Sequence, residues 1–263
     1  MPLPRRAACL LIHGFGGSPF EMEPLVPALE RLGCAVDLTA LPGHEGDIGV
    51  FRKTLYPDWL AHAETRFLNL RDTHDAVFLI GFSMGAAIAL SLAARHAALP
   101  ALAGTVALAP PWRIYRFLPF RLKTAWLPLT PLIARFKREI ALPAPHPESR
   151  AIAPFAGYEG SMHLPQLHSL ARGVAAMRKD LPGLTCPLLL LCDARDSVCP
   201  PDGALRIARA CSSADVTLRL TRMRENVTSH HMLTTHRETR ETAARHVADF
   251  IAARLRARFP PVP

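Results

Sequence analysis

Residues 75–97 read DAVFLIGFSMGAAIALSLAARHA, and this stretch decides the fold. The apolar run Ala76–Ile80 predicts a strand that is covered on both faces, and the alanine-rich run after the motif predicts a helix. Between them lies GFSMG (81–85), in which two glycines leave room for a sharp turn around Ser83. Two interpretations are open: Ser83 is a nucleophile lifted out of the sheet, or it is the cap of a plain strand–helix turn.

The same alternation of short apolar runs and longer helical runs extends along the chain. It predicts a mostly parallel, doubly wound sheet with helices on both faces, an α/β fold. The other expected strands are Ala7–Ile12, Cys34–Thr39, Gly104–Leu108, Pro187–Cys192 and Val216–Leu220. The expected helices are Pro24–Arg31, Tyr56–Asn69, Met84–His96, Leu164–Lys179, Asp202–Cys211 and Glu238–Arg254, the last entered through a capping-box pattern at Thr235 and Glu238.

Residues 110–160 break this alternation. They are rich in proline and aromatic residues and show no clean period, so we expect an insertion, a cap of short helices on a single domain that spans 1–263. The chain carries a formal charge of +9, much of it in this segment. No nucleic-acid-binding module accompanies the charge. We therefore expect either a solvated cap packed on the main domain, or a cap that lines an apolar pocket and makes peripheral contact with anionic lipid surfaces.

Composition argues for an ordinary globular protein. Hydrophobic residues make up 49% of the chain and charged residues 20%, which argues against disorder. The six cysteines are scattered among apolar runs, as expected for buried thiols, and the histidines show no metal-ligand spacing, so we predict no disulfide framework, no metal and no cofactor. The N-terminal apolar run is too short for a signal peptide, and no run is long enough to span a membrane. A cytoplasmic protein is expected.

A serine hydroxyl needs a base to become a nucleophile, and the base needs a carboxylate to orient it. On a doubly wound sheet these groups should follow the carboxyl ends of later strands. Asp193 and Asp196 follow the strand that ends at Cys192, and His230 and His231 follow the strand that ends at Leu220. The order serine, aspartate, histidine is therefore available, but spacing alone does not choose within either pair.

A carbonyl group under attack by a serine also needs N–H donors for its developing oxyanion. The residue directly after the serine, Met84, supplies one N–H at the start of a helix. The glycine-rich loop HGFGGS (13–18) follows the first strand, and we assign the N–H of Phe15 as the second donor. The loop lacks the third glycine of a dinucleotide-binding fingerprint.

Together these segments resemble the α/β-hydrolase superfamily, and within it the bacterial carboxylesterases and monoacylglycerol lipases. The segments that carry the resemblance are LLIHGFGGSP, LPGHEGD, GFSMG, DARDSVCPP and SHHMLTTHRE. The resemblance implies an α/β-hydrolase fold with a helical cap and a catalytic triad of Ser83, Asp196 and His231. Phe82 stands where many members have histidine, and His236 stands where the esterases tend to have aspartate.

The resemblance also implies a serine esterase that hydrolyses small-molecule acyl esters, and the apolar cap favours medium-chain to long-chain acyl groups. Alternatives on the same triad are an acyltransferase, a thioesterase or a C–C hydrolase. A binding protein on an inactive hydrolase fold is the alternative of a different class. His44 is interpreted as a structural loop residue, and the pair Ser161 and His163 is rejected as a site because it follows no strand.

Overall fold

The computed structural model describes residues 7–114 and 138–260. Its eight strands are β1 (Ala7–Ile12), β2 (Ala35–Thr39), β3 (Ala76–Phe82), β4 (Leu102–Leu108), β5 (Glu139–Ala141), β6 (Ser161–His163), β7 (Leu188–Asp193) and β8 (Val216–Thr221) over these ranges. The α-helices over the same ranges are α1 (Val26–Glu30), α2 (Ile48–Phe51), α3 (Tyr56–Arg71), α4 (Met84–Arg95), α5 (Pro147–Ile152), α6 (Leu164–Asp180), α7 (Asp202–Ala210) and α8 (Arg240–Arg258).

Six strands form one sheet in the order β2-β1-β3-β4-β7-β8, and every neighbouring pair is parallel. The predicted doubly wound α/β architecture is therefore confirmed. The strand order reverses between β1 and β3, which is the switch point where ligands bind in open α/β sheets. The carboxyl ends of β1, β3, β7 and β8 all lie at this one edge, because the strands are parallel.

Two hydrophobic cores cover the two faces of the sheet. Side chains alternate along β1, so Leu10 and Ile12 enter one core while Cys9 and Leu11 enter the other. The first core is completed by α3, α4, α6 and α7, and the second by α1 and α8. Strands buried on both faces read as continuous apolar runs, which is why β1, β3 and β7 were predicted closely.

The end of the expected insertion is described, and with the residues that follow it forms a feature that the sequence did not predict. Strands β5 and β6 pair antiparallel in a separate two-stranded sheet, with α5 between them. Ser161 and His163 therefore lie in a strand, β6, that the sequence analysis did not predict. The cap positions Tyr115, Phe117, Phe120, Trp126 and Phe136, with Arg116, Arg121, Lys123, Arg135 and Lys137, lie outside the described residues.

Two helix starts differ from the prediction. The helix expected from Pro24 begins as the 3₁₀ turn Glu23–Leu25 and becomes α-helical only at α1. The C-terminal helix α8 begins at Arg240, and the capping box predicted at Thr235 is wrong. Glu238 instead accepts a hydrogen bond from the N–H of Arg224 at 2.7 Å. None of the helices within 7–114 and 138–260 is both long and apolar enough to cross a bilayer.

Candidate active site

The turn between β3 and α4 is the sharp elbow that the motif predicted. Ser83 has φ 53° and ψ −115°, a backbone conformation that is costly for a residue with a side chain. A Cβ on Gly81 would lie 2.0 Å from the carbonyl oxygen of Gly85. A Cβ on Gly85 would lie 2.0 Å from the carbonyl oxygen of Ile12. Both glycines are therefore required by close backbone approach, and the turn is packed directly against the end of β1.

Three side chains from three strand ends meet at this elbow. The Oγ–H of Ser83 donates to Nε2 of His231 at 2.9 Å, and Nδ1–H of His231 donates to Oδ2 of Asp196 at 2.7 Å. The side chain of Asp196 has no exposed surface and that of His231 is 10% exposed. This is the chain of hydrogen bonds through which a base can take a proton from a serine. Of the two aspartate candidates and the two histidine candidates, the structure brings Asp196 and His231 to Ser83.

Asp193 and Asp196 hold different partners although they lie three residues apart. The second oxygen of Asp196 accepts the backbone N–H groups of Val198 and Cys199, both at 2.8 Å. Asp193 faces away from His231. Its carboxylate accepts from the N–H of Arg195, from Oγ1 of Thr221 and from the N–H of Met223. Asp193 therefore ties the end of β7 to the end of β8.

His230 directs its neighbour into the site. It has φ 57°, a left-handed conformation that is uncommon for a residue other than glycine. Its Nε2–H donates to the carbonyl oxygen of Glu225 at 2.7 Å, so its ring points into its own loop. Because the backbone turns sharply at this residue, His231 faces Ser83 instead of following His230. The two histidines diverge, and only the second reaches the serine.

A partly buried carboxylate, Glu225, organises the loop that carries His231. It accepts hydrogen bonds from the N–H groups of Val227 and Thr228, from Oγ1 of Thr228, and from Nε2–H of His236 at 3.2 Å. Burial alone would raise the pKa of Glu225, but these hydrogen bonds lower it to about 2. His236 in turn accepts the N–H of Glu238 on Nδ1. His236 is thus part of the loop's polar framework, where the resembled esterases tend to have aspartate.

Sequence reasoning missed Glu225 as a functional candidate. The signal is weak: an acid followed two and three residues later by Val and Thr, the pattern of a turn closed by a side chain. Arg195 adds a second tie, since its guanidinium donates to the carbonyl oxygens of Met223 and Glu225 and to the side chain of Asn226. Arg195 therefore joins the loop after β7 to the loop after β8.

The loop after β1 presents the N–H of Phe15 without an acceptor among the described residues. The peptide that contains this N–H is held through its other end. The carbonyl oxygen of Gly14 accepts from Nδ1–H of His13 at 2.9 Å and from the N–H of Gly17 at 3.3 Å. The N–H of Met84, the first residue of α4, has no intrahelical acceptor. Since α4 starts against Ile12, the two N–H groups belong to adjoining segments at the serine.

The side chains beneath this loop are aromatic and uncharged. His13 accepts the N–H of Leu41 on Nε2, and its burial lowers its pKa to about 4. Burial and the neighbouring His13 lower the pKa of His44 to about 3. The ring of His44 packs edge-on against Phe51 and Trp59. His44 is thus a buried residue of the loop after β2, and its predicted structural role fits its surroundings.

The other departure from the resembled family, Phe82, also fits the site. Phe82 packs against the His231 ring, with ring centroids 5.0 Å apart, and borders Gly14. It therefore supplies an apolar wall for the imidazole.

The pair rejected as a site, Ser161 and His163, lies on β6. Oγ of Ser161 is 3.4 Å from Nε2 of His163, and this histidine also approaches Glu139. That pair belongs to the separate β5–β6 sheet. It does not lie at the carboxyl end of any strand of the main sheet.

The chain is similar to known lipolytic enzymes over most of its length. It is 30% identical over 206 residues to a thermostable monoacylglycerol lipase from Bacillus sp. strain H-257, covering 78% of this chain and 77% of the relative. A solved structure from a study of the metagenome-derived lipolytic enzymes LipS and LipT matches with TM-score 0.77 and 23% identity, covering 95% of each chain. The monoacylglycerol lipase of Paleococcus ferrophilus matches with TM-score 0.73 and 18% identity, covering 95% of this chain and 96% of the other.

The family comparison agrees with the fold and with the geometry at the elbow. Residues 4–224 match the family described as serine aminopeptidase S33, Hydrolase_4. This match spans the strand that leads into Ser83 and the loop that carries Asp196, and it ends at residue 224, within the loop after β8 and before His231. The chain therefore belongs to the Hydrolase_4 (serine aminopeptidase S33) family of α/β-hydrolases.

Proposed function

We propose that this protein is a serine carboxylic-ester hydrolase of the carboxylesterase and monoacylglycerol lipase type. The observation that carries the proposal is the continuous hydrogen-bonded chain from Ser83 through His231 to Asp196, on an elbow strained at the serine. Proposed roles are nucleophile for Ser83, general base and acid for His231, and orienting carboxylate for Asp196. The N–H groups of Phe15 and Met84 are the proposed oxyanion donors.

The proposed reaction proceeds through an acyl-enzyme. Ser83 Oγ attacks the ester carbonyl while its proton passes to Nε2 of His231, and the carbonyl oxygen becomes an oxyanion held by the N–H groups of Phe15 and Met84. The tetrahedral intermediate collapses, the C–O bond to the alcohol breaks, and His231 returns the proton to the leaving alcohol. Water then attacks the acyl-enzyme with His231 again as base, which releases the carboxylic acid and restores Ser83.

The substrate class rests on the relatives. Monoacylglycerol lipases recur among the similar proteins, from Bacillus, Paleococcus and Saccharomyces cerevisiae. We therefore propose small acyl esters as substrates of this chain. The apolar and aromatic composition of residues 110–160 favours medium-chain to long-chain acyl groups. The family description names an aminopeptidase, but the relative with 30% identity is a lipase, which favours ester over peptide hydrolysis.

A fluorophosphonate probe tests the proposed nucleophile, because it reacts with an activated serine and leaves an inactive one unmodified. We expect the wild type to be labelled and Ser83→Ala to remain unlabelled. Ser161→Ala is the matched control and should be labelled like the wild type. An unlabelled wild type would favour a binding protein on an inactive hydrolase fold. Labelling retained in Ser83→Ala would contradict the assignment of Ser83.

Nitrophenyl esters of graded acyl length test the substrate class. We expect kcat/KM to rise from acetate toward medium-chain and long-chain esters, and monoacylglycerols to be hydrolysed.

The alternative reactions are tested on the same purified protein. It should be assayed with acyl-thioesters, with aminoacyl nitroanilides and with added alcohols as acyl acceptors. A thioester or an anilide turned over faster than every oxygen ester would replace the esterase assignment. Transfer to an alcohol that exceeds hydrolysis would indicate an acyltransferase.

A further inference from the structure

A fully buried carboxyl group lies directly behind the loop proposed to hold the oxyanion. Glu21 ends a short 3₁₀ turn, Pro19–Glu21, and only 2% of its surface is exposed. The proposed mechanism gives it no role. A glutamate is rarely buried so completely unless it is paired, so its surroundings call for a physical explanation.

The glycine loop is shaped around this carboxyl group. Oε2 of Glu21 accepts the N–H of Gly14 at 2.7 Å. A Cβ on Gly17 would lie 2.5 Å from the carboxyl atoms, and one on Gly14 would lie 3.1 Å from Oε2. The N–H that Glu21 holds belongs to the peptide that precedes the one bearing the Phe15 N–H. Glu21 and His13 therefore secure the two consecutive peptides that set the direction of that donor.

The surroundings of Glu21 favour the neutral acid. Among the described residues it forms no ion pair with an arginine or lysine, and Gly14 supplies its one hydrogen bond. The titratable groups around it are His13 on the loop, which burial keeps uncharged at neutral pH, His231 beyond Phe82, and the exposed Glu23 on the next turn. Desolvation raises the pKa of Glu21 to about 8, although the Gly14 hydrogen bond opposes this shift.

We propose that Glu21 is a positioning residue for the oxyanion loop, that it acts as an uncharged carboxylic acid, and that its ionisation in alkaline solution switches off ester hydrolysis. The inference rests on the proposed function, since it concerns the donor assigned to Phe15. An ionised Glu21 would place a negative charge behind the loop that must stabilise a developing negative charge, so the loss should fall on the transition state.

The test is the pH profile of kcat and KM for wild type, Glu21→Gln, Glu21→Met and Glu23→Gln. Hydrolysis of a short-chain ester is measured between pH 6 and pH 10 by titrating the acid that is released. In the wild type we expect kcat to fall about tenfold or more between pH 7 and pH 9.5, with KM changed by less than about twofold. Glutamine resembles the neutral acid in shape and cannot ionise. We expect Glu21→Gln to lose this alkaline fall, and Glu23→Gln to keep it.

Glu21→Met separates positioning from charge. It removes the acceptor for the Gly14 N–H at similar volume, so kcat should fall about tenfold or more at pH 6.5, and Glu21→Gln should recover most of that loss. An alkaline fall that persists in Glu21→Gln, or a Glu21→Met variant with wild-type kcat, would overturn the inference. Should Glu21→Met fail to fold, the Glu21→Gln profile still decides. A wild type that is neither labelled by the fluorophosphonate nor active on esters would instead overturn the proposed function, and this inference with it.

Discussion

At the scale of single residues, three buried carboxyl groups near the site and the partly buried Glu225 differ in what surrounds them. Asp196 accepts a hydrogen bond from His231. Asp193 instead accepts hydrogen bonds from backbone N–H groups and a hydroxyl group at the ends of β7 and β8. Glu225 collects enough donors to stay ionised, while Glu21 has one and is held neutral by burial. The depth of burial and the number of donors, rather than the residue type, therefore separate the neutral Glu21 from the ionised Glu225.

The first prediction separates the two aspartates. Asp196→Asn should lower kcat by about 10⁴-fold, because the amide cannot hold the His231 imidazole in the required tautomer. Asp193→Asn should leave much of the activity and lower the free energy of unfolding by about 1–3 kcal/mol, because an amide N–H₂ would face the donors of Thr221 and Met223. Steady-state kinetics and chemical denaturation measure the two effects. The reverse pattern would assign the orienting carboxylate to Asp193.

The second prediction concerns stability and the raised pKa of Glu21. Its pKa is near 4.5 when unfolded and about 8 when folded, so between these values the folded chain keeps a proton that the unfolded chain has lost. The contribution of Glu21 to stability is therefore favourable below pH 4.5 and declines by about 1.4 kcal/mol per pH unit up to pH 8.

Urea denaturation at pH 5 and pH 9 measures this effect when wild type is compared with Glu21→Gln. Other groups titrate equally in both proteins and cancel from the difference. We expect the wild type to lose stability relative to Glu21→Gln as the pH rises. A stability difference that is the same at both values would show that Glu21 keeps an ordinary pKa in the folded chain.

At the scale of elements, each residue of the proposed triad lies in a turn or loop that follows a strand. The turn after β3 stores backbone strain at Ser83, and the loop after β8 stores it at His230. Neither conformation would persist without support from other contacts. The support is close packing of Gly81 and Gly85 at the first turn, and the hydrogen bonds of Glu225 at the second.

The third prediction tests the loop after β8. Glu225→Ala removes the acceptor for Val227, Thr228 and His236, so His231 should lose its alignment with Ser83. We expect kcat to fall about tenfold to a hundredfold with little change in KM, since small misplacements of a catalytic group are costly. Glu241→Ala, at an exposed position on α8, is the matched control. Wild-type kcat in a folded Glu225→Ala protein would contradict the proposed support of His231.

At the scale of the whole molecule, the parallel sheet assembles the site from distant parts of the chain. Ser83 and His231 are 148 residues apart in sequence and hydrogen-bonded in space. The strand order places β1, β3, β7 and β8 so that their carboxyl ends share one edge. The segment after β4 reaches the same edge through Tyr158. Its N–H donates to the carbonyl oxygen of Gly16, and its hydroxyl donates to that of Gly43.

The fourth prediction concerns the charge of the whole chain and its basic insertion. We expect flotation with vesicles that contain anionic phosphatidylserine, and less or none with neutral vesicles or at high salt. Replacing Arg135, Lys137 and Arg138 by glutamine should weaken binding about a hundredfold, at about 1 kcal/mol per basic residue. The control variant replaces three basic residues of α8 by glutamine, namely Arg240, Arg245 and Arg256. Equal absence of binding to both kinds of vesicle would contradict the prediction.

The sequence by itself determined the sheet, the elbow and the two pairs of candidate partners. Buried parallel strands appear as continuous apolar runs, and a strand–glycine–serine–glycine–helix order has few structural solutions. These patterns are local, so they can be recognised without knowing which distant segments of the chain pack against them. The predicted capping box at Thr235 failed for the converse reason: the partner of Glu238 is Arg224, on the preceding loop.

Residue spacing alone left Asp193 and Asp196, and likewise His230 and His231, undecided. The family resemblance selected Asp196 and His231, and the tertiary structure brings these two to Ser83. The charge states of Glu21 and Glu225 follow only from the tertiary structure. Neighbouring residues in a turn have the same local sequence context, and their directions depend on backbone angles imposed by contacts from other segments. The charge of a buried acid likewise depends on donors brought to it by folding. Local pattern thus determines where each strand ends, and only the packed sheet determines which side chain at that end faces the serine.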